Sequence, residues 1–467
     1  MRRTFMTKNM TVGDPLKLIL AFAIPLFIGN IFQQIYTMAD TMIAGYFLGD
    51  SAIAAIGSTS SIYSLVMNFA WGLNGGYTIL VAREFGSKNH QKFRKVVAAM
   101  FLLNLAGGIL LTGFALISLR KLMFFLNTPA EIFQQAHLYI TIICGGMSTT
   151  LLYNMLAGFL RAMGNSRTPL YFLLISSVLN LTLDALFVIV FHWGVGGTAL
   201  ATVIAQLLSG ILCGRYIWKF YREYLPHTGD FQFDKSLYAE MLFSGLAMAM
   251  MQCIFAIGSV ILQRAINGLG DIIITAHTAS RRFVDIFMMP LSTISTAAST
   301  FISQNWGAGK IERIKVGLKK SIILGLIWSA ISMVLVWQFG RLMIIGISGT
   351  SDEQVITNAV MNLKINFMFY PPLGILLCLR VAMQAMGQKI APLFSSSMEL
   401  LIKVVAAIWI IPIAGYRSAS YTEPVTWLVC GSLLVAVYAI SYHKNFQNRL
   451  AQIKAQYNTK NIVDLGQ

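Results

Sequence analysis

Apolar runs of about twenty residues or more recur twelve times along this 467-residue chain. Each is long enough to cross a hydrocarbon core of roughly 30 Å as a helix. Residues 16–44, 52–81, 96–119, 132–159, 169–190 and 196–216 form a first set of six. Residues 237–263, 272–303, 321–339, 355–379, 391–413 and 426–442 form a second. The balance of residue types agrees: 56% are hydrophobic and 11% charged, where soluble domains carry about 25% charged. The expected fold is an all-α integral membrane protein of twelve transmembrane helices. Met1-Arg2-Arg3 ahead of the first run has the look of a signal peptide, but that run is too long and lacks a small-residue cleavage site, so it is read as the first span.

The formal charge of +17 raises the question of nucleic acid. Its distribution points to a membrane instead. Of the 35 lysines and arginines, 24 fall in the amino terminus, the loops after even-numbered spans and the carboxyl tail, against 5 in the alternate loops. That asymmetry predicts cytoplasmic termini in a multi-pass inner (plasma) membrane protein, with contacts to anionic lipid headgroups and no nucleic-acid partner.

Sliding the chain against itself by 221 residues places Leu48-Gly49-Asp50 on Leu269-Gly270-Asp271, Ala55 on Ala276 and Gly86 on Gly307. An offset of 223 places Ala162-Met163-Gly164 on Ala385-Met386-Gly387 and Pro169 on Pro392. The chain therefore divides into a lobe over residues 1–218, a polar cytoplasmic linker over 219–236, a second lobe over 237–443 and a cytoplasmic tail over 444–467. Six spans is an even number, so both lobes start on the same side and a pseudo-two-fold axis runs along the membrane normal. Bundles of this kind place their binding site in a central cavity between lobes and work by rocking one lobe against the other, which argues for a secondary transporter.

One carboxylate stands out. Asp184 lies inside the run Ser176–Phe187, where a charge near the bilayer centre costs roughly 2.5 to 3.5 kcal/mol and so normally faces a protein interior or a wet cavity. Asn180 is one helical turn earlier on the same face, so two oxygens point into one space and can hold a proton or a small cation. The alternative is a structural carboxylate satisfied by Asn180 and Thr202.

No set of residues supports an enzyme. Cys144, Cys213, Cys253, Cys378 and Cys430 are scattered one per apolar stretch and read as small hydrophobes. The histidines show no HExxH spacing, and Gly307-Ala308-Gly309-Lys310 only faintly suggests a phosphate loop. No cofactor is expected beyond a coupling ion.

Several stretches together carry a family resemblance: Pro25 with Gln33-Gln34-Ile35-Tyr36-Thr37-Met38-Ala39-Asp40-Thr41, residues 72–76, Ala162-Met163-Gly164-Asn165, Leu262-Gln263-Arg264-Ala265 and Gln304-Asn305-Trp306-Gly307-Ala308-Gly309. In this order the chain resembles the multidrug and toxic compound extrusion (MATE) family over nearly its whole length, within it the DinF/MepA-type branch. The resemblance implies a monomer that exports cationic, lipophilic compounds through a V-shaped cavity, by antiport against protons or sodium. It also implies a first-lobe coupling cluster of Asp40, Tyr139, Asn180, Asp184 and Thr202, with a bend of the first helix at Pro25. Sodium, if that is the ion, would take oxygens of Asp40, Asn180, Asp184 and Thr202. Acids that another branch carries in the second lobe are absent: Ile261 falls on Asp40 and Ala407 on Asp184.

A substrate-facing wall is drawn from Tyr36, Arg281, Asp285, Met251 and Met288. Arg281 and Asp285 are four apart, so they pair on one face, either lining the cavity or only neutralising each other for insertion. Lys403 falls on Asn180 in the repeat and has Glu399 one turn earlier as a partner. The methionines suit varied aromatic ligands because thioethers repack easily, although lipid-facing packing is their commoner use. Pro371-Pro372 predicts a break in the tenth span. The rival reading is a flippase for lipid-linked precursors, which shares the bundle architecture but tends to carry extra helices.

Overall fold

The computed structural model describes residues 9–126 and 128–465, with side chains up to residue 440. The Met1-Arg2-Arg3 opening lies outside the described residues, and so do the side chains of the polar tail from His443 onward. The elements are α1 Pro15–Leu48, α2 Asp50–Ser87, α3 His90–Phe125, α4 Ala130–Gly145, α5 Met147–Ala162, α6 Arg167–Ala185 and α7 Gly194–Phe220. They are followed by α8 Lys235–Asn267, α9 Asp271–Gly307, α10 Ile311–Ser348, α11 Glu353–Met368, α12 Tyr370–Ala385, α13 Ile390–Val405 and α14 Ile411–Leu465.

Among the described residues nine helices are long and apolar enough to cross a membrane. Two bent pairs, α4 with α5 and α11 with α12, add two more spans. The stretch Ile390–Ile440 is itself two spans, because Gly415 (φ 68°, ψ −160°) interrupts the helix. Twelve passes result. Helices outrun the apolar runs that predict them: α10 opens ten residues earlier, at Ile311, since Glu312, Arg313 and Lys315 can extend to polar surroundings while their turn stays hydrogen-bonded.

The two bends have different chemical causes. Between α4 and α5 the chain turns by 41° at Gly146, where a Cβ would collide with the Val203 side chain, so only glycine permits the approach. Between α11 and α12 it turns by 51°. Pro371 and Pro372 occupy the first turn of α12, where they cannot donate back into α11.

The repeat is also written in the backbone. Positive φ recurs at Gly49 and Gly270, Lys88 and Gly309, Gly164 and Gly387, and Gly194 and Gly415. A π-helical turn follows α6 at Leu186–Val190 and another follows α13 at Ala406–Ile410.

The chain folds as two compact units, Met1–Asn9 with Phe22–Cys253, and Met10–Ala21 with Ile254–Gln467. Both α1 and α8 therefore begin in one unit and continue in the other. In the first unit α2 and α8 cross at glycine: a Cβ on Gly72 or Gly76 would enter the backbone of Ser244, Gly245 and Ala249. The polar linker there is ordered. Asp230 is buried, accepts from the His227 N–H at 2.9 Å and pairs with Arg94 at 3.1 Å.

The second unit grips the segment before α1 in the same manner. Met10 N–H donates to Gln304 at 2.9 Å, Lys310 Nζ donates to the Thr11 carbonyl at 2.9 Å, and Arg313 donates to the carbonyls of Gly13 and Met10 at 2.8 and 3.1 Å. Gln304-Asn305-Trp306-Gly307 thus serves as a backbone clamp.

Candidate functional site

In the first unit α6 presents Ser176, Ser177, Asn180 and Asp184 on its buried face. The serine hydroxyls donate to the Leu173 carbonyl at 3.0 and 2.8 Å, as serines in apolar helices do. Asn180 and Asp184 behave differently. Both amide atoms of Asn180, both carboxyl oxygens of Asp184 and one of Asp40 are buried without a hydrogen-bond partner among the described residues.

The two partners that the structural alternative assigned to Asp184 do not bond it among the described residues. Thr202 on α7 donates to its own helix, to the Thr198 carbonyl at 3.1 Å, and Asn180 does not bond Asp184. A buried ionised carboxylate with no donor is costly.

Asp40 on α1 and Asp184 on α6 act on each other electrostatically, so the sequence-predicted acids do come together. Three tyrosines share the cluster: Tyr36 on α1, Tyr139 on α4 and Tyr63 on α2. Tyr63 escaped sequence reasoning. The signal was its position in Gly57-Ser58-Thr59-Ser60-Ser61-Ile62-Tyr63-Ser64, a dense hydroxyl run within an apolar span. Among the described residues no lysine or arginine pairs with either acid. The oxygen set of Asp40, Asp184, Asn180 and Thr202 fits a proton or a hard cation by donor type. Among the described residues no group of three or more His, Cys, Asp or Glu could hold a metal ion.

Pro25 lies within an unbroken α1, four residues after Ala21, the last residue that packs with the second unit. It leaves the Ala21 carbonyl without a helical donor. Met251 is buried on α8, whereas Met288 is half-buried on α9, and the two belong to different units.

The second unit holds a chain of charges. Arg281 bridges Asp285 at 3.1 Å and Glu423 at 2.8 Å; Lys403 bridges Glu423 at 3.6 Å and Glu399 at 3.0 Å; Arg380 closes on Glu399 at 3.3 Å. Three acids and three bases alternate and cancel. The Arg281–Asp285 and Glu399–Lys403 pairs were legible as helical neighbours. Glu423 was not, because it reads as loop ahead of the twelfth span. His277 adds a contact to Tyr416 at 3.4 Å.

Comparison with known proteins agrees with this architecture. A family model described as MatE matches residues 25–186 and again 247–409, the second match starting 222 residues after the first and ending 223 after it. The chain is 26% identical over 381 residues to the probable multidrug resistance protein YpnP of Bacillus subtilis, covering 81% of this chain and 84% of that one. It is 24% identical over 373 residues to the multidrug export protein MepA of Staphylococcus saprophyticus, covering 79% and 81%. A crystal structure of MATE in the bent conformation superposes with a TM-score of 0.86 at 19% identity, over 95% of this chain and all of the other. Carrying the family model twice, once per repeat, on a bundle of twelve membrane passes, the chain belongs to the MatE family of multidrug and toxic compound extrusion transporters.

Proposed function

We propose that the protein is a secondary active exporter that exchanges cationic, lipophilic compounds for protons or sodium by alternating access. The observation that carries this reading is the Asp40–Asp184 pair, a half-buried and a buried acid with no basic partner among the described residues, beside an Asn180 amide that is likewise unpartnered there. Two carboxylates in one poorly solvated site need a counter-charge. A proton or sodium ion supplies it when bound, and leaves a site that attracts a cation when released. Residues 1–218 and 237–443 are the moving lobes, the protein works as a monomer, and both termini face the cytoplasm of the plasma membrane. The names of YpnP and MepA support drug export over lipid-precursor flipping.

Pro25 is the joint. Because α1 is held before Phe22 by one unit and after it by the other, a change of partner at Asp40 can be passed along α1 and taken up at the freed Ala21 carbonyl. Tyr139, Asn180 and Thr202 complete the coupling cluster with the two acids, and Tyr36, Arg281, Asp285, Met251 and Met288 contribute to the substrate cavity.

The test is counterflow of a fluorescent lipophilic cation in proteoliposomes, with sodium and pH gradients imposed separately. Wild type should respond to at least one gradient, and Asp184→Asn and Asp40→Asn to neither. Equal gradient-driven transport in both variants and wild type would remove the acids from the coupling step.

A further inference from the structure

A second site lies in the second unit, away from the charge chain. At the end that carries the α10–α11 loop, a cleft of about 560 Å³ opens between α10, α11 and α14. That volume is within the range of small-molecule pockets. Its floor is one stripe of α11: Ile356, Val360, Met361 and Ile365, with Lys364 on the same face. Arg341 from α10 and Arg417 from α14, two residues past the break at Gly415, complete the wall with Tyr421.

The charges here do not cancel. Arg341 is held by both oxygens of Glu353, at 2.6 and 2.8 Å. Lys364 and Arg417 have neither a hydrogen bond nor an ion pair among the described residues, and no unpaired acid lines the cleft. Lys364 sits eleven residues beyond Glu353, about 16 Å along α11, which together with α12 is apolar enough to form one membrane span. An intramembrane lysine without a partner costs roughly 2.5 to 3.5 kcal/mol. The same unit pairs every base of its buried charge chain, which makes the two unpaired cations at one apolar cleft informative.

We infer that this cleft binds an anionic amphiphile, its phosphate or carboxylate head between Lys364 and Arg417 and its apolar body along Ile356, Val360 and Ile365. Guanidinium and ammonium groups suit such a head, and Tyr421 adds a ring and a hydroxyl. Like charge repels the cationic compounds proposed as substrates, so the occupant belongs to a different class. Two sources share the chemistry, a membrane phospholipid and a soluble organic anion.

Native mass spectrometry of the full-length protein in detergent tests this. Phosphatidylglycerol should be retained over phosphatidylcholine, and the Lys364→Gln/Arg417→Gln variant should lose that retention about tenfold. Lys121→Gln, a charge removed from the other unit, should match wild type. Lys364→Arg/Arg417→Lys should restore retention, which separates loss of charge from loss of fold. Octyl phosphate added to phosphatidylglycerol-free protein distinguishes the sources: binding of both identifies the head with one chain as sufficient, and binding of octyl phosphate alone assigns the cleft to soluble anions. Unchanged lipid retention in the neutral double variant together with unchanged octyl phosphate binding would overturn the assignment. So would inorganic phosphate displacing the amphiphile as well as octyl phosphate does.

Discussion

The acids around Asp184 in the first unit and those around Glu423 in the second are held in opposite ways. In the first, Asp40 and Asp184 share electrostatic surroundings with three tyrosines, and neither they nor Asn180 meet a base among the described residues. In the second, Glu399, Glu423 and Asp285 are threaded between Arg380, Lys403 and Arg281. The contrast teaches where an exchangeable ion can work. A carboxylate that owns a tethered cation has no use for a free one, while an unpaired carboxylate can change partner at every cycle. At the 223-residue offset Lys403 stands where the first unit has Asn180, so an ammonium in the second unit takes the place of an amide in the first.

The largest effect expected from this contrast is on transport. Asp184→Asn should reduce gradient-driven export to background in everted vesicles, while Asp285→Asn, whose partner Arg281 keeps Glu423, should leave it measurable. The reverse outcome would move the coupling step to the second unit.

Stability gives the next effect. Lys403→Met removes the base between Glu399 and Glu423, and breaking a buried pair typically costs about 3 to 5 kcal/mol. A fall in thermal unfolding midpoint should follow, partly recovered in Lys403→Met/Glu399→Gln because the second change removes an uncompensated charge. An Asp184→Asn protein that melts at or above the wild-type midpoint would sharpen the comparison, since its acid has no partner to lose.

A smaller effect concerns the clamps. Arg313→Ala deletes donors to Gly13, Met10 and Asn305, each worth about 1 kcal/mol, and should speed proteolysis near Thr11 in the second unit. Arg94→Ala should do the same near Asp230 in the first. Cleavage that changes at neither site would show the clamps to be incidental.

The smallest is a dependence on pH. The Lys17 backbone N–H, and then Lys320, hold the Asp14 carboxyl below its usual value of 3.8. A depressed folded value means the contact stabilises above the unfolded value and is lost as pH falls through the folded one. Protease protection of the segment before α1 should therefore be level from pH 8 to 5 and decline only below about 4, and Asp14→Asn should abolish that decline.

Much of this was open to one-dimensional reasoning. Asp184 showed itself because a carboxylate in an apolar run is expensive wherever the run folds, and Asn180 followed from helical spacing. Tyr63 was hidden, since tyrosine is ordinary at membrane interfaces and only its neighbours make it part of the cluster. Glu423 was hidden for a different reason: its partner Arg281 is 142 residues away.

By itself the sequence determined the twelve membrane passes and the two-fold repeat, because hydrophobic length and residue pattern act locally. Tertiary structure alone decided that Glu423 and Arg380 join the sequence-legible pairs in one chain of charges and that Asp184 receives no base among the described residues. It also decided that the segment before α1 packs with the second unit and the start of α8 with the first. Those outcomes depend on contacts between residues far apart in the chain, and the energy of a buried charge is set by whatever the fold places beside it.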